Sequence, residues 1–265
     1  MLSPTSLEAR NEALRAIQRS LREHAAELIS ANAADVAAAI SAKLGDALIK
    51  RLGLTDDKLS GLCRAIDGLI DMPDPLGVVT LDRELSPGLQ LKRHSCPIGV
   101  LCVIFEAVSR SLGSPQCYSS PKPFPCSLVQ RPEAVIQIST LALKSGNTVI
   151  LKGGKEAART NEALVRAIQA ALAATASTAG CISPSAVQLV AGRDEVADLL
   201  QLDEHIDLVI PRGSKELVRD IKRRTVRGHL CLNDYVSPAS VSLPRRSAAH
   251  PRPWACRRHL RCVCR

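Results

Sequence analysis

Aromatic side chains are nearly missing from this chain of 265 residues: two Phe, two Tyr and one Trp amount to 2% of it. Long apolar runs are missing too. None approaches the roughly 18 residues a membrane helix needs, because charge, Gly or Pro interrupts each one. The opening MLSPTSLEAR has no basic stretch followed by an apolar one, so it does not read as a secretory leader. Glu8 and the charged helix that begins there argue against a transit peptide. There is no G-x-G-x-x-G and no Walker sequence. What the chain does have is an apolar fraction of 46%, enough for a globular core. Cys63, Cys96, Cys102 and Cys181 are scattered and mostly in apolar runs. That usage speaks against a disulfide scaffold and for buried thiols in a reducing compartment. The expected location is cytoplasmic, with a plastid left open.

The net charge of +9 suggests nucleic acid until its distribution is read. Residues 226–265 hold eight Arg and one Asp, residues 107–130 hold Arg110 and Lys122 without an acid, and the rest is neutral. These two segments also hold six of the ten cysteines, both tyrosines and the Trp. Nucleic acid is therefore not expected as a partner of the main body.

Outside those segments the periodicity is regular. Residues 5–40 read as helix, with Thr5 and Glu8 at capping-box spacing. A second amphipathic helix follows Thr55 and ends at MPDPLG. Residues 78–94 read as paired strands around Ser86-Pro87-Gly88. CPIGVLCVIF, 96–105, reads as a strand buried on both faces. An alternation follows: helix 131–146 with Gly146 as its stop, strand 147–152, helix 155–175, strand 185–190, a short helix over RDEVADLLQL, strand 206–211 and a helix in SKELVRDIKRRT. Such units predict an α/β fold, a Rossmann-like parallel sheet covered on both faces, behind an N-terminal helical section. Ligands on such sheets bind at the carboxyl ends of the strands. The loops after 105, 152 and 211 are thus the informative ones.

In the loop LKGGKEA, Lys152 ends a strand, Gly153 and Gly154 free the backbone, and Lys155 and Glu156 open a helix. Helix N-terminal donors and two ammonium groups suit a phosphorylated cofactor, and Glu156 can accept from a ribose hydroxyl. A plain glycine turn with solvated lysines fits the same letters. In PRGS, Gly213 permits close backbone approach and Ser214 caps the next helix. A capped strand-helix turn explains that loop equally well. Arg131, opening the helix after the third loop, suits a carboxylate or phosphate, or simply a solvated surface.

VIFE, RPEAVIQISTLALKSGNTVILKGGKEA, SAVQLVAGRDEV and LLQLDEHIDLVIPRGSKELV, in that order, resemble gamma-glutamyl phosphate reductase. This family, also called glutamate-5-semialdehyde dehydrogenase, lies in the aldehyde dehydrogenase superfamily. LIKRLGLTDDKLSGLCRAIDGLIDMPDPLG and CPIGVLCVIFE are similar too, so the resemblance covers about residues 5–225. The reductase half of the plant bifunctional enzyme, which carries a glutamate kinase as well, is also similar. The resemblance implies an oxidoreductase of proline biosynthesis that reduces gamma-glutamyl phosphate with NADPH through a Cys thioester, and an assembly of like subunits. It places Lys152, Gly153 and Gly154 on the adenosine ribose and phosphate side of the cofactor, beside Lys155 and Glu156, which the loop's own residues suggest. Gly213 and Ser214 then lie near the pyrophosphate or nicotinamide, and Arg131 near the substrate.

Two departures qualify the expectation. Deleting Val108–Gln130, 23 codons, would leave VIFEARPEAV, the family's usual continuation. Val108-Ser109 can be encoded as a splice donor and Gln130 as an acceptor, which makes 107–130 read as a retained intron. Its Pro and Ser content and its lack of apolar period predict disorder. Sequencing the transcript is expected to return a form without these codons; the long form alone would refute the reading. Beyond Thr225 the resemblance ends, and 226–265 reads as a disordered basic tail. The family's catalytic domain and its catalytic Cys have no counterpart, so no catalytic residue is assigned. Two other readings remain: a catalytically dead fragment that binds NADPH or a subunit, and a metal or nucleic-acid binder acting through the tail. Cys256, His259, Cys262 and Cys264 match no usual zinc spacing, so no metal is expected.

Overall fold

The computed structural model describes residues 5–105, 131–175, 182–192, 195, 198–202, 204–212, 215–224 and 260–264. The expected segment 107–130, and Gly213 and Ser214, lie outside them. Of the tail, only Leu260–Cys264 is described.

The single helix expected over 5–40 is two, α1 (Leu7–Glu23) and α2 (Ala25–Ser41). They break at His24, whose backbone leaves the helical region at φ −98°, ψ 13°. Ser6, not Thr5, is the cap of α1: its backbone is extended, and its Oγ accepts the Ala9 N–H at 3.2 Å. A short helix α3 (Asp46–Leu52) has no counterpart in the sequence reading. Thr55 caps α4 (Asp56–Asp71), accepting the Lys58 N–H at 3.4 Å.

The paired strands are β1 (Val79–Ser86) and β2 (Leu89–His94), antiparallel around Gly88. Gly88 has φ +81°, a conformation that strongly favours glycine. A last strand, β7 (Leu260–Cys264), runs antiparallel along β2.

The main sheet is parallel and contains β3 (Val100–Phe105), β4 (Thr148–Gly153), β5 (Val187–Val190) and β6 (Leu208–Arg212), in the order β5-β4-β3-β6. Two-fold alternation along β3 sends its side chains to opposite faces. Leu101, Val103 and Phe105 join one buried cluster with α5 (Glu133–Lys144) and α6 (Ala158–Ala174). Cys102 and Ile104 join a second, with Val209 and with Ile221 of α7 (Lys215–Arg224). The unbroken apolar run in the sequence follows from this double burial. On the first face α1, α2 and α4 form a further layer over α5 and α6, through Leu14, Ile17, Leu21 and Leu28.

Gly146 ends α5 as the sequence suggests, for two physical reasons. It has φ +71°, and a Cβ there would stand 3.0 Å from Leu76 Cδ1. The next residue, Asn147, returns its N–H to Ala142 O at 2.8 Å, and its Oδ1 accepts the Gly99 N–H.

Candidate functional site

The sheet order fixes which loops can share a ligand. After β3 the chain steps outward through β4 to β5, then returns to the far side of β3 for β6. The carboxyl ends of β4 and β6 therefore lie on the same edge of the sheet. They do not adjoin as neighbouring strands, because β3 runs between them. The strand order reverses between β3 and β6, the place where doubly wound sheets open a crevice for ligands.

A cavity of about 580 Å³ opens at the carboxyl ends of β4 and β5, against the start of α6. Gly153, Gly154 and Lys155 form its wall on one side and Leu189, Val190 and Ala191 on another. Along α6, Ala158, Asn161, Val165 and Gln169 recur at helical spacing and face it. Arg166 and Glu162 add charge at its margin.

The candidate residues divide. Gly153, Gly154 and Lys155 reach the cavity, and Lys155 is exposed. Lys152 does not line it. At 2% exposure its ammonium lies inside the protein, donating to Gly153 O at 2.7 Å. Glu156 is half-buried and off the wall. Arg131 is exposed beside the start of α5, on the same edge of the sheet but outside the cavity.

The start of α6 is less open to an anion than its letters suggest. Lys155–Ala157 form a turn of 3₁₀ helix, and the Ala158 N–H goes to Lys155 O. The Thr160 N–H goes at 2.8 Å to the Asp35 carboxylate, which arrives from α2. Asp35 also accepts from Thr160 Oγ1 at 2.7 Å. A buried carboxylate thus occupies the positive end of the α6 dipole from behind. Less of that dipole is left for a phosphate, so Lys155 is the cation placed to meet one, while the cavity beyond it is largely apolar.

None of Cys63, Cys96 and Cys102 is poised for attack. Cys63 and Cys102 are buried, and burial pushes the Cys102 thiol up to about 11, so it is protonated at neutral pH. Cys96 precedes β3 and so lies at the amino-end edge, away from the cavity. Among the described residues no group of His, Cys, Asp or Glu could hold a metal, and no helix is long and apolar enough to cross a membrane.

Sequence reasoning missed Asn161 and Asp35. Asn161 carried a usable signal, a polar residue four positions before Val165 on an Ala-rich helix. Asp35 carried none, because its partner lies 125 residues away.

No domain-family profile matches the chain. It is 43% identical over 231 residues to the gamma-glutamyl phosphate reductase of Cyanothece sp., covering 86% of this chain and 46% of that protein. The crystal structure of gamma-glutamyl phosphate reductase from Saccharomyces cerevisiae superimposes with a TM-score of 0.72 at 37% identity, over 86% of this chain and 52% of that one. A methylmalonate-semialdehyde dehydrogenase from Oceanimonas doudoroffii, 16% identical with a TM-score of 0.57, shares the fold alone. The chain spans about half the length of the curated relatives it matches.

Proposed function

Starting from a chain that shares its sequence and fold with about half of a gamma-glutamyl phosphate reductase of the aldehyde dehydrogenase superfamily, we propose that it is the cofactor-binding portion of an NADPH-dependent reductase. The whole reaction in this reading converts gamma-glutamyl phosphate to glutamate-5-semialdehyde, a step toward proline. The observation that carries it is the cavity beside Gly153-Gly154-Lys155, on the carboxyl-end edge of the sheet, within a segment whose sequence follows the family.

The residues present fit the adenosine end of a phosphorylated dinucleotide. The aliphatic wall of Val165, Leu189 and Val190 suits a flat base, and Lys155 suits a phosphate. Lys152 acts at one remove: its ammonium ties down the Gly153 carbonyl and holds the loop against the end of β4. NADPH, when bound, supplies a hydride. In this reading the loop after β4 holds the carrier, and Cys63, Cys96 and Cys102 offer no nucleophile for the acyl group. Gly213 and Ser214 are proposed to approach the pyrophosphate or nicotinamide, and Arg131 the substrate.

The purified 265-residue chain is therefore expected to bind NADPH, seen as a change in nicotinamide fluorescence on titration. With gamma-glutamyl phosphate added it is expected to show no loss of the reduced nicotinamide's absorbance. Turnover would refute the reading as a portion without chemistry, and absence of binding would refute the cofactor reading.

A further inference from the structure

A second cavity, of about 370 Å³, is lined by the N-terminal helices α1, α2 and α4 and shares no residue with the cavity beside Gly153. Leu21, Leu59 and Cys63, each no more than 4% exposed, give it an apolar floor. Arg22, Asp56 and Arg64 also line it, and all three are exposed. We propose that this cavity binds a small α-amino acid with an aliphatic side chain. Arg22 and Arg64 hold its carboxylate and Asp56 its ammonium. The proposal is independent of the cofactor reading given above.

The charges point to a ligand of both signs. Among the described residues the side chains of Arg22, Asp56 and Arg64 have no hydrogen-bond or ion-pair partner. Opposite charges thus line one cavity without closing on each other. Exposed charges elsewhere on α1 do pair: Arg15 takes Glu8 and Glu12, and Arg19 takes Glu12. The helix ends help to hold the two signs in place without a ligand, since Arg22 is in the last turn of α1 and Asp56 in the first turn of α4. A molecule that carries a carboxylate and an ammonium bridges the gap that these side chains leave. Two guanidiniums against one carboxylate leave a surplus positive charge, so the ligand's carboxylate is the end held more firmly, and the planar fork of a guanidinium matches it. The buried floor takes the aliphatic side chain, and the volume is at the lower end of the range for small-molecule sites. A plain anion would face Asp56 unfavourably, and a plain apolar molecule would leave all three charges unused.

Calorimetric titration of the purified chain with leucine tests this, beside two relatives of leucine that each lack one charge. 4-Methylpentanoate has no ammonium, and 3-methylbutylamine has no carboxylate. Leucine is expected to bind with a dissociation constant on the order of 1 mM, and each relative about fivefold more weakly, the scale of an exposed ion pair. These comparisons need no substitution. Arg22→Ala, Arg64→Ala and Asp56→Asn are each expected to weaken leucine about fivefold. Their melting temperatures without ligand are expected to stay at the parent value, because all three side chains are exposed and unpaired. Equal binding of leucine and 4-methylpentanoate overturns the proposal, because Asp56 then plays no part. Leucine affinity unchanged in both arginine variants overturns it too, and so does an absence of binding at roughly ten times the expected constant. NADPH enters none of these measurements, so the cofactor reading stands or falls separately.

Discussion

Asp35→Ala is expected to lower the unfolding free energy of the chain by about 3–5 kcal/mol, measured by urea denaturation. Asp35 is 6% exposed and accepts two hydrogen bonds from Thr160, itself fully buried. Removing the carboxylate strands the Thr160 N–H and leaves its hydroxyl only the Asn32 amide as a neighbour at 3.3 Å. Asn32 is committed elsewhere: its Nδ2 donates to Leu52 O at 2.9 Å and its Oδ1 accepts the Leu54 N–H at 2.7 Å. Asp35→Asn separates charge from hydrogen bonding. It keeps an acceptor but gives up the charge at the helix end, for which a loss of about 1–2 kcal/mol is expected. The functional consequence follows from position. Thr160 adjoins Asn161, and its helix begins just after Lys155, so a loosened first turn displaces both cavity residues. NADPH affinity is expected to fall in Asp35→Ala although Asp35 touches no part of the cavity wall. Unchanged stability would mean that the α2–α6 junction is held by apolar packing alone.

Arg10→Ala is expected to cost about 3–4 kcal/mol by the same measurement. Arg10 is 1% exposed. Its Nη1 donates to the Lys144 carbonyl at 2.6 Å, at the end of α5, and its Nη2 to Asp74 Oδ2 at 2.7 Å. One guanidinium thus joins α1, α5 and the turn before β1. The Asp74 side chain is 31% exposed, so water screens part of the ion pair, which places the expectation at the lower end of the range for buried pairs. Arg10→Lys is expected to lose most of the same stability, because an ammonium lacks the planar fork by which Nη1 and Nη2 reach the Lys144 carbonyl and Asp74 at once.

The junction also has a pH signature. Burial favours the neutral form of Asp74, but the Leu76 N–H and the Arg10 guanidinium outweigh it and hold the carboxyl below its ordinary value. A lowered carboxyl binds fewer protons folded than unfolded. Its contribution is therefore present above the ordinary carboxylate value and is lost as pH falls through the lowered one. Acid unfolding curves should show this loss in the parent chain and a smaller one in Arg10→Ala. Lys144 is shifted down by burial and then by Arg10. Its charged form is disfavoured in the folded chain, so stability rises with pH as Lys144 passes from its lowered pKa toward its ordinary one.

The elements that were legible in the sequence are those whose signal is local and repeated. The β3 run, the Gly146 stop and the alternation from 131 onward appear in the structure within a few residues of their expected bounds, save the short helix expected over RDEVADLLQL, part of which lies outside the described residues. The break at His24 was not legible, since apolar residues recur at helical spacing on both sides of it while the backbone turns at one residue. The cap moved from Thr5 to Ser6 because two adjacent hydroxyls offer equivalent chemistry, and backbone conformation decides between them. The glycine loop after β4 was legible as a place. The division of labour within it was not: spacing does not tell that Lys152 turns inward while Lys155 faces the cavity.

By itself the sequence determined the α/β class, the parallel sheet, the loop to watch and the family resemblance, because each is written in residue order over short spans. Only the tertiary structure decided that β3 runs between the strands that lead into the two candidate loops and that Asp35 occupies the α6 dipole. It alone brought Asn161 of α6 and the loop after β4 to one cavity. These depend on contacts between distant parts of the chain, and such contacts are fixed by how whole faces pack, which residue order does not state.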